Sequence, residues 1–108
     1  MKEIKAIIRP NRLQKIRDGM RHLQGFPGMT ITHVEGCSGH AGIEKHDTLK
    51  AELTDFTKKI RIEIVAPDEM VDEIVKSIHA AAFTGQDGDG VLWVAEVADF
   101  RKLCKPAA

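Results

Sequence analysis

The sequence has 108 residues, enough for one domain and too few for two cores, because each half would fall near the size at which burial stops offsetting chain entropy. A hydrophobic fraction of 43% and a charged fraction of 30% exclude a disordered chain, and sixteen Lys and Arg against sixteen Asp and Glu leave no global positive field for nucleic acid or an anionic membrane. The start Met1-Lys2-Glu3-Ile4 lacks the apolar region of a signal peptide, no apolar run approaches the roughly 20 residues that span a bilayer, and the two cysteines, Cys37 and Cys104, stand far apart, so a reduced, cytoplasmic chain without membrane insertion is expected.

Glu3 to Arg9 is rich in isoleucine and stops at Pro10, which has no N–H for a ladder, so it reads as a first strand. From Asn11, Leu13, Ile16, Met20 and Leu23 fall on one helical stripe, and Gly25 and Pro27 end it. Met29 to Glu35 alternates Thr, Ile and Val with polar residues, as a second strand would. Lys59 to Val65 carries the clearest two-residue period, with Ile60, Ile62 and Ile64 on one face and Lys59, Arg61 and Glu63 on the other. Pro67 and Asp68 open a second helix whose stripe is Val71, Ile74, Val75, Ile78 and Ala82. A Gly-rich turn leads to a fourth strand, Val91 to Val97, in which Val91, Trp93, Ala95 and Val97 alternate, and residues from about 99 to 108 form a polar tail.

The order strand, helix, strand, strand, helix, strand is the split βαβ pattern. The fold class is therefore α+β: a single ferredoxin-like βαββαβ domain over 1–108, with a four-stranded antiparallel sheet and both helices on one face. The second face carries Ile7, Thr32 and Arg61, and another subunit could cover it. The connection from about 36 to 58 far exceeds the two to five residues of a hairpin, a length that points to function or to disorder.

Four stretches in this order resemble the nitrogen regulatory PII family: Lys5-Ala6-Ile7-Ile8-Arg9-Pro10, Gly28-Met29-Thr30-Ile31-Thr32, Lys59-Ile60-Arg61-Ile62-Glu63-Ile64-Val65, and Thr84-Gly85-Gln86-Asp87-Gly88-Asp89-Gly90. The likeness runs from Met1 to about Phe100, and the long connection falls where the family has its protruding partner-contacting loop. The resemblance implies a cytoplasmic signal-transduction protein, not an enzyme: a homotrimer that binds ADP, AMP or ATP in its subunit clefts, responds in many relatives to 2-oxoglutarate, and regulates a membrane transporter or metabolic enzyme through the loop. It further implies a nucleotide pocket formed by Thr30, Gly36, Ile64, Gly88, Asp89 and Gly90, with Lys59, Arg101 and Lys102 as phosphate partners.

The chain departs from the family pattern at named positions. The Arg-Gln pair at the loop base is Gly39-His40, the lysine after Gly-Asp-Gly is Val91, and the Arg-x-Arg near the C-terminus appears as Lys102 and Cys104 beside Arg101. The tyrosine that some relatives have modified is absent, because the chain has no tyrosine, and the matching position is near Glu52. Charge-assisted contacts of the missing kind are worth about 1.5 to 3 kcal/mol each.

Residue chemistry offers an alternative for the loop. Cys37, His40 and His46 combine a thiolate with imidazoles, and the Cys-x2-His spacing suits zinc or copper, giving a metal-responsive protein of the same fold linked to metal or ion transport. No cofactor is obligatory on either reading. A calcium loop is excluded, since the first ligand position would be Gly85 and a strand follows where a helix is needed. Trp93 is expected to anchor the core or a subunit interface, and no spacing of nucleophile and base points to catalysis.

Overall fold

The computed structural model describes residues 1–37 and 56–106. Strands β1 (Lys2–Ile8), β2 (Thr30–Gly36), β3 (Thr57–Ala66) and β4 (Gly90–Glu96) form one sheet in the order β2-β3-β1-β4. Every neighbouring pair is antiparallel. Helices α1 (Leu13–Met20) and α2 (Val71–Ala82) complete the ferredoxin-like βαββαβ arrangement.

The isoleucine-rich strands run through the middle because both of their neighbours are strands. Ile4, Ala6 and Ile8 of β1 and Ile60, Ile62, Ile64 and Ala66 of β3 project towards the helices, where Ile16 and Met20 of α1 and Val71, Ile74, Ile78 and Ala82 of α2 meet them. All are buried, and burying one isoleucine contributes about 1.5 to 3 kcal/mol. Pairing of Ile4 with Ile64 and Ala6 with Ile62 fixes the register, since a one-residue slip would turn each isoleucine out of the core. Neither of the described helices lies on the opposite face. That face presents Glu3, Lys5 and Ile7 of β1, Lys59, Arg61, Glu63 and Val65 of β3, and their partners on the outer strands.

Two boundaries and the facing of one strand differ from the sequence expectation. The first helix ends at Met20 instead of running to Gly25, because the chain tightens into turns: Leu23 N–H bonds Met20 O at 3.1 Å, Phe26 N–H bonds Leu23 O at 3.2 Å, and Gly25 takes φ +77°. The connection between β2 and β3 is slightly shorter than about 36–58, because backbone pairing continues through Glu35 with Lys58 and Gly36 with Thr57 whatever the side chains. In β4 the alternating set Val91, Trp93 and Ala95 faces away from the helices, while Leu92 packs against the core. Trp93 is 43% exposed in this chain, so it does not anchor the core.

Candidate functional site

Strand register brings the chemistry together. Ile8 pairs with Ile60 on one side and with Gly90 on the other, so Arg9, the next residue, arrives between Lys59 and Asp89. Pro10 then turns the chain into a short 3-10 turn, Pro10–Arg12, and leaves the Arg9 side chain at the sheet end. The Arg9 Nε donates to the Gly88 carbonyl at 2.9 Å, and the Lys59 Nζ donates to the same oxygen at 3.2 Å. Arg9 also reaches Gln86 Oε1 from Nη2 at 3.2 Å and approaches Asp89 Oδ1 at 3.8 Å.

The loop that receives these cations runs from the end of α2 into β4. Asp89 Oδ2 accepts hydrogen bonds from the backbone N–H of Thr84 at 2.5 Å and of Gly85 at 2.9 Å, and Oδ1 accepts from the Thr84 hydroxyl. The Thr84 hydroxyl and then its N–H stabilise the charged carboxylate, outweigh desolvation, and hold the Asp89 carboxyl down at about 2. Glycine is required where the loop enters β4. Gly90 has φ +118°, and a Cβ there would stand 1.9 Å from the Ile7 carbonyl oxygen.

A cavity of about 560 Å³ opens on the helix side of this loop, walled by Ile8, Ile78, His79, Ala82, Phe83 and Leu92. The rings of His79 and Phe83 lie 5.4 Å apart at its edge. Arg9 and Lys59 do not line it. The electrostatic focus is therefore the cation pair at Gly88, and the cavity is an apolar wall beside it.

The residues expected from the sequence divide into groups. Lys59, Gly88, Asp89 and Gly90 come together at the loop, and Gly36 lies against Lys59, whose Cγ would be 3.9 Å from a Cβ at that glycine. Thr30 sits at the other end of β2 from Gly36. Ile64 is 1% exposed with its side chain in the core, so only its backbone remains to meet a ligand. Arg101 and Lys102 are exposed and follow β4 in the chain. Arg9, Thr84 and Gln86 join the site although single-residue reasoning passed over them as ligand contacts. The signal for Arg9 lay in its position one step past a strand whose two neighbours both end at the loop.

Of the proposed metal set, Cys37 is a free, exposed thiol, and His40 and His46 lie outside the described residues. Among the described residues no three His, Cys, Asp or Glu side chains are grouped to hold a metal ion. No helix among them is long and apolar enough to cross a membrane.

The family model for "Nitrogen regulatory protein P-II" matches residues 1–105. The chain belongs to the P-II family. Nitrogen regulatory protein P-II 1 of Escherichia coli K12 is 40% identical over 98 residues, covering 91% of this chain and 87% of the relative. Nitrogen regulatory protein P-II of Haemophilus influenzae is 37% identical over 97 residues, covering 90% and 86%, and that of Pasteurella multocida shows the same identity and coverage. Membership makes the chain a regulatory protein and gives the Arg9, Lys59 and 84–90 cluster its context: the glycine-rich stretch that carries the P-II likeness is the one on which both cations converge.

Proposed function

We propose that this P-II protein acts without catalysis as a cytoplasmic homotrimeric sensor, binding an adenine nucleotide, ADP, AMP or ATP, beside the 84–90 loop. Its state is passed to a membrane transporter or metabolic enzyme through the segment that joins β2 to β3. One observation carries the ligand reading: Arg9 and Lys59 share a single carbonyl oxygen. Their donor nitrogens are then no more than about 6 Å apart. At an effective dielectric near 20 their repulsion is about 3 kcal/mol before screening, and among the described residues the Asp89 carboxylate stands near Arg9. An anionic group placed between them would turn that repulsion into two charge-assisted hydrogen bonds.

The homotrimer belongs to the same reading: Thr30 stands at the end of β2 away from Gly36, so a pocket that used both would draw one of them from a neighbouring copy. The exposed Val91 and Trp93 on the face away from the described helices, 60% and 43% exposed, support such packing.

The test is calorimetric titration of the purified protein with ADP, AMP and ATP, each with and without Mg²⁺, at physiological salt. Micromolar binding of at least one, lost when Lys59 and Arg9 are both changed to Ala, is the expected result. Heat-silent titrations with all three would refute the nucleotide reading.

A further inference from the structure

Three glycines, Gly85, Gly88 and Gly90, stand within the seven residues from Thr84 to Gly90, a composition that by itself permits many backbone paths. One carboxylate selects among them. Asp89 gathers the Thr84 N–H, the Gly85 N–H and the Thr84 hydroxyl, which ties the end of the loop to its beginning. The Asp89 N–H donates to Gln86 O at 3.1 Å. That N–H belongs to the same planar peptide unit as the Gly88 carbonyl, and in a trans peptide the two point in opposite directions. Anchoring Asp89 on the Thr84 side therefore aims the Gly88 oxygen at Arg9 and Lys59, which is where it is found.

Asp89 is a poor ligand contact by the same geometry. Its oxygens already accept three hydrogen bonds from the loop and face Arg9, and an ionised carboxylate has no proton to offer a phosphate and repels it. We propose that Asp89, coupled to Thr84, is a positioning residue that sets the 84–90 loop, and through it Gly88 and Arg9, for an anionic ligand that it does not itself touch. The identity of the ligand rests on the function proposed above. The Asp89 to Thr84 latch does not.

Two readouts separate these claims. In the ligand-free protein, Asp89→Asn should speed amide hydrogen exchange at Thr84 and Gly85 by about 10-fold or more while the α2 amide of Ile78 stays as in the parent, as loss of local order without global unfolding requires. In titrations with ADP, Asp89→Asn and Thr84→Val should each weaken binding about 10- to 100-fold, the range set by losing a hydrogen bond to a charged group. The double variant should be little weaker than either single one, because the two residues act as one unit, and Thr84→Ser, which keeps the hydroxyl, should restore affinity. Unchanged exchange at Thr84 and Gly85 would overturn the latch. Losses that multiply in the double variant, or a Thr84→Val protein that binds as the parent does, would make Asp89 a direct contact and overturn the positioning role. If the parent protein binds no adenine nucleotide, the proposed ligand falls and the exchange measurement still decides the latch.

Discussion

Gly90 serves two constraints at once: it takes a backbone angle that side chains avoid, and it lets β4 begin against the Ile7 carbonyl with no room for a Cβ. Alanine there must displace backbone, since the obstructing atom is a main-chain oxygen and cannot rotate away. Gly90→Ala should cost about 1 to 3 kcal/mol, read as a lower denaturation midpoint at unchanged slope, and a midpoint equal to the parent's would contradict the close approach. Gly88 differs, because a Cβ there meets only the flexible end of Arg9. Asp89 carries a pH signature. Its carboxyl is lowered from the ordinary aspartate range to about 2, chiefly by the Thr84 hydroxyl, so the folded state binds its proton less readily than the unfolded one. The contribution is then complete above pH ~4 and lost as pH falls towards ~2. Urea midpoints measured down that range should drop in the parent protein and drop less in Asp89→Asn. Asp68, lowered by the Met1 ammonium 3.0 Å away, adds a smaller exposed contribution that Asp89→Asn leaves in place.

Among the elements, β3 is the most constrained. It pairs on both sides, with β1 and β2, and every second residue from Ile60 to Ala66 is buried. Ile62→Ala at its centre should destabilise by about 2 to 5 kcal/mol, because strands on both sides and helices above prevent collapse into the space, and a loss under about 1 kcal/mol in chemical denaturation would contradict the close packing. α1 and α2 approach closely where Gly19 passes Ser77: a Cβ on the glycine would come 2.6 Å from the serine hydroxyl oxygen. That oxygen can turn aside, so the contact limits the size of residue 19 more strictly than it demands glycine.

At the scale of the whole molecule, the two described helices cover one face of the four strands and neither covers the other. That other face is mixed: Lys5 pairs with Glu3 at 3.6 Å and Arg61 with Glu63 at 3.2 Å, while Ile7, Val91 and Trp93 add apolar area beside them. Such a surface suits a partner that satisfies charge and buries aromatic area together. Trp93→Glu should shift the protein to a smaller species in sedimentation velocity with its helix content retained. A parent protein that sediments as a monomer at micromolar concentration would remove the trimer from the proposed function.

The sequence by itself determined the element order, the fold class and most of the core, because burial on one face imposes a period that β1, β3 and α2 display without interruption. It also marked the glycine-rich stretch from Thr84 to Gly90 through its family likeness. It could not decide which face of β4 turns inward, since Val91, Trp93 and Ala95 are as apolar as Leu92 and Val94, and a two-residue period defines two faces without saying which is covered. The two-residue period put Ile64 with Ile60 and Ile62 on the buried face, while the family resemblance placed it at a ligand, which leaves its backbone for that role. Arg9 entered the site only through tertiary structure. A cation one residue past a strand has no periodic signature, and its role arises because β3 and β4, distant in sequence, flank it, so that Arg9 and Lys59 donate to the Gly88 carbonyl while Asp89 stands beside Arg9.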